Sequence, residues 1–116
     1  MFRTSDTIAA IATAPGRGGI GVVRLSGPDA HAVALGLVTR QERFEPRYAT
    51  FSRVHALSTR DAQPEALDHA VVTYFPAPRS YTGEDVVEVS VHGSPVVLNG
   101  LVERAVQLGE IGRAHV

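Results

Sequence analysis

No cysteine occurs among the 116 residues. That absence excludes disulfides, thiolate chemistry and cysteine-rich zinc sites, and nothing marks the chain as secreted. An excess of one charge is missing too. The formal net charge is −1 and no run of lysines or arginines appears, which argues against this segment alone gripping nucleic acid through its phosphates. Long hydrophobic runs are also lacking. The opening stretch MFRTSDTIAAIATAPG has an apolar patch broken early by Thr13 and Pro15; it makes a poor signal peptide and is far too short to span a bilayer. A soluble, cytoplasmic protein without membrane contact is the expectation. What the chain does have is apolar content, at 44%, which favours an ordered globule over disorder. Its length suits one domain, burying roughly two-thirds of its unfolded surface around a single modest core.

Thr7–Ala14 (TIAAIATA) is apolar after a turn or cap at Ser5-Asp6, and on its own fits helix or strand equally. Ile20–Gly27 (IGVVRLSG) is β-branched and alternates, with Val23 and Leu25 on one face and Val22, Arg24 and Ser26 on the other. Pro28–Val38 places Pro28 near a helix start, Asp29 in the first turn, and Val33 four residues before Leu37. Arg47–Leu57 alternates as a strand, Ser58–Ala66 is a polar turn, and Leu67–Pro76 is a nearly continuous apolar strand expected to be central. After a loop at Ala77–Asp85, Val86–Gly93 alternates clearly: Val87, Val89 and Val91 against Glu88, Ser90 and His92. Ser94 then reads as an N-cap and Pro95 as first-turn residue of a helix. Its apolar face is Val97, Leu101, Val102, Ala105, Val106 and Leu108, and Gly109 is its stop. The order β-β-α-β-β-β-α predicts an α+β fold, a mostly antiparallel sheet with two helices on one side.

The glycines at 16, 18 and 21 spell G-x-G-x-x-G, and Gly16 and Gly21 have the spacing of a nucleotide phosphate loop. Both patterns work by feeding a helix N-terminus, whose N–H groups and dipole hold the anion. Here the loop feeds a strand, and Val22-Val23 stand where a phosphate loop needs Lys followed by Ser or Thr. The glycines instead mark a loop that needs positive φ or close backbone approach. Arg17 at its tip is placed to touch an anion or a partner chain.

Three stretches carry a more specific signal: Asp6–Gly27 (DTIAAIATAPGRGGIGVVRLSG), Pro46–Phe51 (PRYATF) and Tyr74–Leu98 (YFPAPRSYTGEDVVEVSVHGSPVVL). Together they closely resemble the N-terminal domain of the MnmE (TrmE) family of tRNA uridine-modification GTPases, over essentially all of residues 6–109. One departure is His92-Gly93-Ser94, where the family usually has His-Gly-Gly; serine caps a helix well. The resemblance implies a fold similar to the tetrahydrofolate-binding domains of aminomethyltransferases. It also implies binding of 5-formyl- or methylene-tetrahydrofolate, the one-carbon source for modifying the wobble uridine, and formation of a homodimer. Full-length members add a helical domain and a GTP-hydrolysing domain that takes GTP, Mg and K. They act on tRNA with an MnmG-type flavoprotein. The GTPase motifs and the family's C-terminal cysteine are absent from this chain, so on its own it is expected neither to hydrolyse GTP nor to modify tRNA.

Three residues are candidates for a site. Glu88 lies mid-strand between Val87 and Val89, where a carboxylate faces water or a ligand. The strand pattern alone favours water. The resemblance implies the family's pterin-binding glutamate, whose carboxylate accepts the paired N–H donors of the ring. The resemblance implies that Arg24 is the family's folate-contacting arginine; the alternative is a surface arginine, or an ion pair with Glu88 or another carboxylate. Tyr81, in the loop YTGED, either stacks on a flat ring or packs for shape. Glu84-Asp85 read as solvated, His31, His55, His69 and His92 have no metal spacing, and His92 reads as bonded to backbone. No catalytic residue and no metal site is expected. A basic family residue beyond position 109 also lines the folate site. Two rival readings stay open: a dimerisation scaffold that binds no cofactor, and a one-carbon transferase related to the aminomethyltransferases.

The tail is anomalous. Preceded by one G, the sequencing adapter AGATCGGAAGAGCACACGTCTGA translates to Glu110–Val116 and a stop. Residues 1–109 therefore read as a folate-binding and dimerisation domain incomplete at its C-terminus, and 110–116 as an adapter-derived tail. The expected result of long-read sequencing across the locus is a frame that continues past Gly109 toward a GTPase domain; a stop codon after Val116 in clean genomic DNA contradicts it.

Overall fold

The computed structural model describes residues 7–12, 19–38, 42–56, 66–78, 83–93, 95–109 and 112–114. They form β1 (Ile8–Ile11), β2 (Ile20–Ser26), α1 (Ala30–Leu37), β3 (Thr50–Ala56), β4 (Ala66–Phe75), β5 (Val86–His92), α2 (Pro95–Gly109) and β6 (Gly112–Ala114). The first five strands and both helices occur in the predicted order. The ambiguous first segment is a strand because it pairs antiparallel with β2, Ile8 opposite Ser26 and Ile11 opposite Val23.

The sheet order is β3-β4-β5-β2-β1-β6. All pairings among β1–β5 are antiparallel. A sixth, short strand at Gly112–Ala114 runs parallel beside β1; it lies in the stretch whose sequence matches the adapter. β4 is interior, yet its alternation is only half apolar in effect. Ala70 and Val72 are buried, whereas Val71 between them is exposed, because the helices cover only one face of the sheet. β3 starts three residues later than expected. Arg47 turns to φ 64°, and its N–H donates to the Tyr74 carbonyl, so the chain bends before it extends.

One core fills the space between sheet and helices. The strands contribute Ala9, Val23, Leu25, Val72, Val87, Val89 and Val91; the helices contribute Ala30, Val33, Ala34, Leu37, Leu98, Leu101, Val102 and Ala105. Alternation on β2 and β5 thus sends one set of side chains inward and leaves Arg24, Glu88 and Ser90 on the face away from the helices. α1 begins after Asp29, whose N–H donates to Thr7 Oγ1 at 2.9 Å, tying helix to β1. The Ser94 cap lies outside the described residues.

Gly21 gives the glycine stretch a local explanation. A Cβ built there would lie 2.7 Å from both methyl carbons of Leu98. Any larger residue would force the Leu98 side chain to shift, because Leu98 of α2 packs directly onto the β2 backbone. Loop residues 13–18, with Gly16, Arg17 and Gly18, lie outside the described residues. The loop leads into β2, a strand and not the helix that a phosphate site requires. Gly21→Ala is expected to displace Leu98 and cost about 1–3 kcal/mol in chemical unfolding; a variant as stable as the parent refutes the close-approach explanation. Among the described residues, no helix is long and apolar enough to cross a membrane.

Candidate functional site

Arg24 and Glu88 are direct cross-strand partners on β2 and β5. Their side chains meet on the helix-free face. Arg24 Nη2 donates to Glu88 Oε2 at 2.8 Å and Arg24 Nε donates to the same oxygen at 3.1 Å. Both side chains are partly sheltered, 31% and 24% exposed. Two of the three candidates thus come together, and the ion pair that was the simpler reading of Arg24 is present. This pairing orients the Glu88 carboxylate. The row continues across the sheet, with Ala10 opposite Arg24 and Thr73 opposite Glu88. Tyr81, the third candidate, lies outside the described residues.

The loop residues before β5 are bound rather than merely solvated. Asp85 accepts the Ala77 N–H on Oδ1 at 2.8 Å, and its carbonyl accepts the Gly27 N–H at 2.9 Å. Ser26 Oγ donates to Glu84 at 3.4 Å. These bonds fasten the end of β2 to the start of β5, and so hold the strands that carry Arg24 and Glu88.

The histidines fall in different places. His92 does not bond to backbone as its sequence context suggested; its Nδ1 lies 3.3 Å from Asp68 Oδ1, a carboxylate that also accepts the His69 N–H. His69 stacks on Phe51, ring centroids 5.2 Å apart. Sequence reasoning missed both contacts, since they join strands across a register that alternation alone does not set. His31 is buried, and its Nε2 accepts the Phe44 N–H at 3.2 Å, with the Tyr74 ring 4.5 Å away. Burial lowers its pKa, the nearby Arg43 lowers it further, and Asp85 partly offsets them. Burial likewise raises Tyr74.

The His31 shift has a direct consequence for stability. The folded state holds its imidazole neutral, so the unfolded chain binds the extra proton first. His31 contributes stability above its ordinary pKa of 6.5, and that contribution is lost as pH falls through the lower folded value. Urea unfolding at pH 7.5 and pH 5 is expected to show a decline that flattens in His31→Phe; an identical slope in that variant would rule out His31 as its source.

Known proteins decide the family. The profile of the family described as "GTP-binding protein TrmE N-terminus" matches residues 7–115. The chain belongs to the TrmE N-terminal family. It is similar to proteins named tRNA modification GTPase MnmE from Stutzerimonas stutzeri (49% identity over 94% of this chain), Legionella pneumophila strain Corby (49% over 90%) and Francisella tularensis subsp. novicida (49% over 91%). In each case it spans 22% of the relative's length.

Proposed function

We propose that this chain is the N-terminal, cofactor-binding part of a tRNA uridine-modification GTPase, and that its helix-free sheet face takes a reduced folate such as 5-formyl- or methylene-tetrahydrofolate. The observation that carries the reading is the half-sheltered Arg24–Glu88 pair in mid-sheet. A pterin presents adjacent ring N–H and amino donors. Glu88, steadied by Arg24, offers the matching acceptors, and the guanidinium fork suits the ring carbonyl. The donor set therefore fits the pterin. Bound there, the folate would supply the one-carbon unit; the chain's own residues bind and orient it. In the longer protein, a GTPase domain with Mg and K, an MnmG-type flavoprotein and tRNA complete the reaction in the cytoplasm.

Equilibrium dialysis against 5-formyltetrahydrofolate is expected to give saturable binding, displaced by the methylene form and unaffected by GTP. No saturable uptake by the chain, or by the longer protein, contradicts the reading. Self-association belongs to the same proposal. Exposed apolar side chains such as Phe51 and Ile20 on one sheet face suit burial across a two-fold axis. Sedimentation at rising concentration should report a monomer–dimer equilibrium; a strictly monomeric longer protein rules the dimer out.

A further inference from the structure

The crossover from α1 to β3 is irregular backbone, and a single side chain of residues 42–49 is buried: Phe44, at 2% exposed. Its ring lies edge-on to His31 of α1, centroids 5.8 Å apart. The tilted Tyr74 ring of β4 stands 4.5 Å from the same imidazole. The Phe44 N–H also donates to His31 Nε2 at 3.2 Å. Crossover, helix and strand therefore meet on one buried histidine. Backbone anchors bound the segment on both sides. A bridge joins Val38 to Val54 before it, and the Arg47 N–H bonds to the Tyr74 carbonyl at its far end.

His31 offers an acceptor nitrogen only while it is neutral. An imidazolium carries N–H at both ring positions, so the Phe44 N–H would then face a second donor. We propose that His31 and Phe44 form a proton-controlled latch, which holds the 42–48 crossover against α1 and β4 at neutral pH and releases it, ahead of the rest of the fold, when His31 takes up a proton. The surrounding groups set its strength. Burial and the Arg43 guanidinium, one residue before Phe44, favour the neutral ring; the Asp85 carboxylate, just before β5, favours the charged one. Tyr74 brings no charge of its own, because burial pushes its phenol above the usual tyrosine value. Release leaves the sheet intact. The β2–β5 and β4–β5 ladders are backbone pairings in which His31 has no part. What opening uncovers is apolar: the rings of Phe44 and Tyr74, both buried while the latch is closed.

Hydrogen exchange of the chain, and of the longer protein, tests the latch when read by mass spectrometry between pH 7.5 and pH 5 and corrected for intrinsic rates. Protection of residues 42–48 is expected to fall once the pH drops below the ordinary histidine value of 6.5. Uptake of one proton on opening limits the fall to about tenfold per pH unit, and it levels off below the lowered folded value. Residues 86–92 of β5 should keep their protection. His31→Gln supplies an acceptor that does not titrate, so it should hold the crossover closed across the range. His31→Phe neither accepts nor titrates, and should leave 42–48 weakly protected to the same degree at every pH. Arg43→Gln, at an exposed position, should shrink the parent's fall, and Asp85→Asn should enlarge it. Protection of 42–48 that ignores pH in the parent overturns the latch. A parallel loss in 86–92 also overturns it, since the change is then global unfolding. So does a fall that survives in either His31 variant, which assigns the proton to another group.

Discussion

Replacing Glu88 by glutamine is expected to weaken reduced-folate binding about ten- to hundredfold, equivalent to roughly 1.5–3 kcal/mol, the value of a hydrogen bond to a charged group. The substitution keeps the side chain's shape. It turns one acceptor into a donor, so that donor meets donor at the pterin edge, and it removes the charge that Arg24 steadies at 2.8 Å. Arg24→Lys should weaken binding as well, because a point charge does not copy the planar fork. Neither residue belongs to the core cluster, and partly exposed ion pairs contribute little to stability. Both variants should therefore melt close to the parent temperature. Calorimetric titration with thermal melts alongside separates the outcomes. Unchanged affinity in Glu88→Gln returns the residue to a solvated strand position. A large fall in melting temperature with unchanged affinity makes the pair structural.

Leu101→Ala should cost more in stability than any substitution on the open face. Leu101 is fully buried in α2 and sits in the single core with Val102 and Ala105. Truncation removes its transfer energy and leaves a cavity, at a cost of about 2–5 kcal/mol. For a small domain, whose total stability is on the order of 5–15 kcal/mol, that is a large share. Val96→Ala, on the same helix but 68% exposed, is the control and should be near neutral. Urea unfolding with an unchanged m-value measures both. A loss below about 1 kcal/mol for Leu101→Ala would mean that α2 is not docked on the sheet as described.

Much of the architecture was legible because the middles of β2 and β5 alternate, the pattern failing only where Ser26 and Val86 are both buried at the joined ends of the two strands. Val23 and Leu25 on one strand, and Val87, Val89 and Val91 on the next, point to a one-sided sheet, and the apolar stripe of α2 supplies its cover. The same alternation put Arg24 and Glu88 on the open face. That they lie directly opposite one another depends on register, which the pattern within each strand does not contain. The Asp68–His92 and Phe51–His69 contacts were out of reach for the same reason. Leu98 escaped notice because its packing partner is a glycine, Gly21, whose role is to be absent at Cβ. The late start of β3 came from a positive φ at Arg47, a conformation that arginine does not advertise in sequence.

The proposed pterin site is the helix-free face around Arg24 and Glu88. Nuclear magnetic resonance of the labelled chain, extended to the full length of its relatives if needed for uptake, tests it most directly. On titration with 5-formyltetrahydrofolate, the largest shifts are expected at the Arg24 guanidinium Nε–H and the amides of Thr73, Glu88 and Ser90, with α1 and α2 nearly unmoved. Saturating shifts confined to the helix layer, leaving the Arg24 Nε–H where it was, would contradict the account.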